Sequence, residues 1–143
     1  MIREINENDY EGLMSLYLHL HETEIPPYEM AKSVFEKILA DEKYHIIVAE
    51  ENGMIVSSCT VVIVPNLTRG VRSYARVENV VTLPDYRKKG LATACLARAK
   101  EIAIHEGCYN IALLTGSKSE STLKFYENAG YNRTDKTGFV MWL

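Results

Sequence analysis

Cysteine is scarce in this chain, and its placement excludes two kinds of structural support. Only Cys59, Cys95 and Cys108 occur. The number is odd and no C-x-x-C pair exists, so neither a disulfide framework nor a zinc site is indicated, and no metal is expected. A reduced, cytoplasmic setting is the expectation. Long apolar runs are missing too. None approaches the ~18 residues of a membrane-spanning helix, so no membrane association is expected. The opening MIREINENDY carries no signal-peptide pattern. Positive charge is not in excess. Sixteen Lys and Arg against nineteen Asp and Glu leave a net charge of −3, which argues against a general nucleic-acid binder. The phosphate-loop pattern GxxxxGK[ST] and the dinucleotide pattern GxGxxG are both absent, which disfavours nucleoside triphosphates and nicotinamide cofactors. There is no internal repeat, low-complexity tract or long linker. The chain of 143 residues, 47% hydrophobic, fits one globular domain, 1–143, with a core of its own.

What is present is an α/β pattern. IREI, residues 2–5, alternates as a short strand. Asn8 or Asp9 caps a helix running to about His21, with Leu13, Leu16, Tyr17 and Leu20 on one face. ETEIPP breaks it, and a second helix runs from about Pro27 to Ala40. YHIIVAEEN (44–52), a hairpin turn at Asn52-Gly53 and MIVSSCTVVIV (54–64) read as paired strands. SYARVENVVTL (73–83) is another strand. Residues 90–106 form the most regular helix, with Leu91, Cys95, Ala99 and Ile102 as its apolar stripe and Gly107 at its end. CYNIALLT (108–115) reads as a buried strand, and Ser119 or Ser121 starts a helix to about Asn128. YNRT and TGFVMWL read as a closing pair of strands.

The charges are uneven. Glu and Asp crowd residues 1–51, while Arg and Lys crowd 69–100. The densest point is PDYRKKGLATA, 84–94, where Arg87, Lys88 and Lys89 precede a helix that Gly90 opens. A helix N-terminus is already positive, so three cations there repel it. The arrangement makes sense if an anion sits among them. Unsatisfied N–H groups and the dipole form the anion site. Gly90 and the small Ala92 let a ligand approach the backbone closely. The cations add charge-assisted hydrogen bonds. A strand, a basic turn and a helix in this order suit a phosphate or pyrophosphate.

VVTLPDYRKKGLATACL resembles the acyl-coenzyme A motif of the GNAT N-acetyltransferase superfamily: a strand, then Arg or Gln, two residues, Gly, one residue, and Gly or Ala. Arg87, Gly90 and Ala92 match it in register. KSESTLKFYENAGY, 118–131, is similar to the family's second signature, a helix with a tyrosine followed by glycine and an aromatic residue. The resemblance implies a GNAT-like α/β domain with a mixed, mostly antiparallel central sheet that splays where the cofactor enters, flanked by about four helices. It implies acetyl-CoA as acyl donor. The backbone of Val80, Val81 and Thr82 would hold the pantetheine arm, and the stretch Arg87, Lys88, Lys89, Gly90, Leu91, Ala92 and Thr93 the pyrophosphate. Tyr126 would protonate the leaving thiolate. Ser119 stands where many members carry an Asn that reaches the cofactor. Glu78, placed in phase with Val80 and Thr82, is the candidate base for the amine. The Val81 amide would polarise the acyl carbonyl.

The expected function is transfer of an acetyl group to a primary amine of a small molecule or peptide by direct attack in a ternary complex. An acyl-CoA-binding sensor without turnover is the alternative. A homodimer paired through the C-terminal strands is in keeping with the resemblance. Two stretches point to different acceptors. Glu22 and Glu24 in the 22–28 loop would attract an amine. Arg69 and Arg72 in the 66–73 loop would favour an acidic or phosphorylated one, and an amino sugar phosphate is one possibility.

Overall fold

In a computed structural model, which describes residues 1–20 and 24–143, the chain forms one five-stranded sheet in the order β1-β2-β3-β4-β5. The strands are β1 (Ile2–Glu4), β2 (Tyr44–Glu51), β3 (Met54–Val64), β4 (Tyr74–Thr82) and β5 (Ile111–Leu113). The first four are antiparallel neighbours and β5 lies parallel to β4. Four helices cover the sheet: α1 (Tyr10–Tyr17), α2 (Tyr28–Leu39), α3 (Leu91–His105) and α4 (Glu120–Asn128). This is the mixed, mostly antiparallel α/β architecture that the sequence leads one to expect.

Strand alternation explains the layering, because successive side chains of a strand point to opposite faces. Ile47 and Ala49 of β2, Val61 and Ile63 of β3, and Ala75 and Val77 of β4 meet Cys95, Leu96, Ala99 and Ile102 of α3. Phe125 and Tyr126 of α4 pack on that same side. The alternate residues Ile46 and Val48 face the other way, towards Leu13 and Leu16 of α1 and Phe35 of α2. The β2–β3 hairpin turns at Asn52 and Gly53, both at positive φ (52° and 78°), as a two-residue turn that matches strand twist requires.

The position of α1 is set by charge. Arg3 on β1 donates to both carboxylate oxygens of Asp9, at 2.6 and 2.8 Å, and to Glu50 of β2 at 2.7 Å. Asp9 also accepts from the Asn6 amide, and the Asn6 side chain accepts from Asn8 N–H. Asn6 is therefore the cap of a single 3-10 turn over Glu7–Asp9, and Asp9 is the N-cap of α1, as one of the two residues read in the sequence. The Arg3 guanidinium holds the Asp9 carboxyl below its ordinary range.

Several boundaries differ from those read in the sequence. α1 ends at Tyr17, and residues 18–20 continue only as turns closed by His19 N–H to Leu16 O and Leu20 N–H to Tyr17 O. β5 has three residues where 108–115 was expected. The closing strand pair over YNRT and TGFVMWL is absent. Residues 131–143 join no strand, and Phe139 through Leu143 are exposed, Trp142 to 92%. Alternating apolar residues specify a strand only when a neighbouring edge accepts their backbone. Here the short β5 is the neighbouring edge, and among the described residues it has no further partner.

Candidate active site

The decisive local feature is in β4. Ser58 of β3 pairs with Val81, but Thr60 pairs with Glu78. One residue of β3, Cys59, therefore faces two residues of β4, Asn79 and Val80. This is a β-bulge, and Asn79 accommodates it at φ 52°, a conformation that Asn tolerates better than most residues. The bulge corrects the expected phase of Glu78. Val77 and Val80 face the α3 side together, whereas Glu78 lies with Val81 on the α1 side. A bulge also bends its strand. The parallel pairing of β4 with β5 ends at Val77 and Leu113, just before Asn79, and the two strands part.

A cleft of about 860 Å³ fills the parting. Its strand walls are Val77–Val80 on one side and Leu113–Ser117 on the other. Tyr126 of α4 and Glu78 both line it, although 48 residues of sequence separate their positions. The third wall is α1 with the stretch that follows, including Tyr17, Leu18, Glu24 and Ile25. Among these, Glu78 is exposed and Tyr126 is half-buried. Burial pushes the Tyr126 phenol above its ordinary 10, so it carries its proton throughout the neutral range.

Along the open side of β4 the backbone alternates. Leu83 N–H donates to Val56 O on β3, and Val81 O accepts from the buried Ser57 hydroxyl at 3.0 Å. Residues two apart in a strand direct their peptide groups to the same side. The groups of Val81 thus face β3, and those of Val80 and Thr82 face the gap. Thr82 O accepts from Arg87 Nε at 3.3 Å, which ties the basic turn to the strand end. Pro84–Tyr86 make one 3-10 turn, and Lys88 at φ 60° and Gly90 at φ 79° follow in left-handed conformations. Gly90 is the N-cap of α3, with no side chain capping the helix, and its first turn holds no acidic residue. A Cβ at Gly90 would meet nothing within 4 Å, so the space ahead of the helix is open. Arg87, Lys88, Lys89 and Thr93 are exposed there, while Leu91 packs on the core. Lys89 lies over the Tyr86 ring at 4.6 Å.

Ser119 is the exposed N-cap of α4 and shares a 2.8 Å hydrogen bond with Ser121. Glu22, expected near the acceptor, lies outside the described residues, whereas Glu24 lines the cleft. Arg69 and Arg72 lie elsewhere. They stack towards Tyr109, 5.5 and 6.0 Å from its centroid, at the end of the sheet where β4 begins.

Sequence reasoning missed Asn79 and Tyr17. The signal for Asn79 was an Asn inside a β-branched run. Tyr17 was read only as part of the apolar face of α1. Among the described residues its buried hydroxyl has no hydrogen-bond partner, nor have those of Ser58 and Thr60. Burial raises the Tyr17 phenol, and Thr60 beside it acts in the opposite sense. Ser58 and Thr60 lie on the β3 face that carries Glu78 across the strand pair.

Residues 6–131 match the family described as Acetyltransferase (GNAT) family. The chain is 33% identical to glucosamine 6-phosphate N-acetyltransferase of Trypanosoma brucei brucei over 94% of this chain and 90% of that protein. A solved putative acetyltransferase from Agrobacterium tumefaciens superposes with a TM-score of 0.94 at 38% identity, covering 100% of this chain and 99% of the other. A structure described as a transcriptional regulator from Bacillus halodurans superposes with a TM-score of 0.87 at 26% identity, over 99% of each chain.

Proposed function

The chain belongs to the GNAT acetyltransferase family, and from that premise we propose that it transfers the acetyl group of acetyl-CoA directly to a primary amine. One observation carries the reading. The cleft opened by the β4 bulge has Glu78 and Tyr126 on its walls, and the same strand leads on to an uncapped helix N-terminus behind three cations.

The residues fit the donor. The free side of β4 at Val80 and Thr82 offers hydrogen bonds to an extended amide-bearing arm. The N–H groups between Lys88 and Thr93 offer the pyrophosphate its acceptor-free donors, with Arg87, Lys88 and Lys89 supplying charge. Ser119 would add a hydroxyl at the α4 end. Acetyl-CoA supplies an activated acyl thioester when bound. Glu78 takes a proton from the ammonium form of the acceptor, directly or through a water, and so creates the nucleophile. The N–H that faces the gap beside the bulge is that of Val80, which takes over the carbonyl-polarising role first given to Val81. Tyr126 holds the proton that the departing thiolate needs. A thiol has an ordinary pKa near ~8.5, and the buried phenol stays protonated well past that.

The test is a thermal melt with acetyl-CoA, followed by an assay of thiol release with primary amines. At about 100 times its dissociation constant the ligand adds about 2.7 kcal/mol, which raises the midpoint by roughly 5–10 °C in a domain of this size. Tyr126→Phe should keep that shift and lower kcat roughly a hundredfold. Because the Tyr126 pKa is raised, the wild-type rate should hold through neutral pH and lose this contribution only above the ordinary tyrosine value of ~10. No shift at millimolar acetyl-CoA would remove the reading.

A second reading is an acyl-CoA-binding regulatory module without turnover. The likeness to the Bacillus halodurans structure favours it. A melt shift with no thiol release for any amine would select it.

A homodimer is part of the proposal. Five consecutive apolar residues, Phe139 to Leu143, stand exposed beside the short edge strand β5. An exposed apolar run of that kind, next to an unpaired edge, calls for a partner, and a second copy presents the same run. The full-length chain should elute as a dimer by light scattering, and Phe139→Glu with Met141→Glu should give a monomer. A monomeric wild-type chain would dismiss the pairing.

A further inference from the structure

The cleft has a chemical character beyond the transfer reaction. Among the described residues, none of its lining side chains is Lys, Arg or His, while Glu24 and Glu78 both belong to it. Away from the parted strands, Met14, Leu18, Leu20, Ile25, Pro26 and Trp142 line it beside Tyr17, Glu24 and Tyr126. Leu18 and Ile25 remain exposed there at 38% and 49%. Apolar surface of this extent beside a binding cleft is ordinarily covered by a ligand or partner.

The cations that the sequence offered to an anionic acceptor, Arg69 and Arg72, lie away from the cleft. Arg69 and Arg72 pack over Tyr109, and Arg76 lies 4.4 Å from the Tyr74 ring centroid and donates to Asn110. All three belong to the beginning of β4, whereas the cleft opens after Val77. Arg87, Lys88 and Lys89 follow β4 and face the donor side. A phosphate on the acceptor would therefore meet two carboxylates and no cation among the described lining residues. An ammonium group with an apolar body meets the reverse: carboxylates for its charge and hydrocarbon for its remainder.

We propose, resting on the transferase reading, that the acceptor is a primary amine borne on an apolar, non-phosphorylated body, of the aralkylamine or alkylamine class. The apolar wall covers the body, Glu24 at the rim attracts the ammonium group, and Glu78 receives its proton. The sugar-phosphate acceptor in the Trypanosoma relative's name would find no cation among the described lining residues.

The experiment compares 2-phenylethylamine, glucosamine and glucosamine 6-phosphate as acceptors, with thiol release giving kcat/KM and calorimetry measuring acetyl-CoA binding separately. The expected order puts 2-phenylethylamine first, at least about tenfold above glucosamine 6-phosphate. Glu24→Lys should narrow that ratio severalfold while leaving acetyl-CoA affinity unchanged. If glucosamine 6-phosphate equals or exceeds 2-phenylethylamine, the acceptor inference is wrong and the transferase reading stands. If acetyl-CoA binds and 2-phenylethylamine is not acetylated, the acceptor inference falls alone. If acetyl-CoA does not bind, both fall together.

Discussion

Glu78→Gln should lower kcat by about 10²- to 10⁴-fold, the range for removal of a general base, with acetyl-CoA affinity unchanged. The substitution preserves size and hydrogen-bonding shape and removes only basicity. Glu78 is exposed on the cleft wall, and among the described residues it forms no ion pair with a Lys or Arg, so no structural bridge is lost with the charge. The pH profile separates a base from a merely structural carboxylate. Below the pKa of the acceptor amine nearly every molecule is protonated and needs a base. Above it the free amine attacks unaided. The deficit of the variant should therefore shrink as pH rises towards ~10, and a uniform deficit across pH would assign Glu78 to structure instead.

Gly90→Leu should abolish the acetyl-CoA-dependent rise in melting temperature. Two effects act in the same direction. Gly90 sits at φ 79°, and a residue with a Cβ pays roughly 1–2 kcal/mol there. The side chain would also project into the open space ahead of α3, where a Cβ meets nothing within 4 Å and where the pyrophosphate is proposed to lie. Gly90→Ala separates the two. It carries the backbone cost with little bulk, so it should lower the melting temperature of the free protein by a few degrees and keep part of the ligand shift. An undiminished shift in Gly90→Leu would move the anion site away from this helix.

Much of the fold was legible because its signals are local. Asn52-Gly53 marks a hairpin, since Asn and Gly tolerate the two consecutive positive φ angles that a two-residue turn requires. The alternation in 44–64 and the 3.6-residue stripe of 90–106 each state which face is buried. Arg87, Gly90 and Ala92 stood out because cations before a helix N-terminus need an explanation. The errors arose where a partner decides. TGFVMWL alternates like a strand, yet a strand exists only when another backbone accepts its hydrogen bonds. CYNIALLT kept three residues of strand because β4 bends away from it after Val77.

By itself the sequence determined the α/β order of elements, the hairpin, the basic turn ahead of a helix start, and Tyr126 and Glu78 as the groups to watch. All of these depend on residues within a turn or two of one another. Only the tertiary structure decided the rest. A single extra residue at Asn79 turned Glu78 to the opposite face from Val80 and parted β4 from β5 beside the cleft. The tertiary structure also put α1 and Glu24 on the cleft wall and left Arg69 and Arg72 at the far end of the sheet. The physical reason is register. Whether a strand residue points up or down depends on how many residues its neighbour spends opposite it, and that count belongs to the pair of strands and to neither one alone.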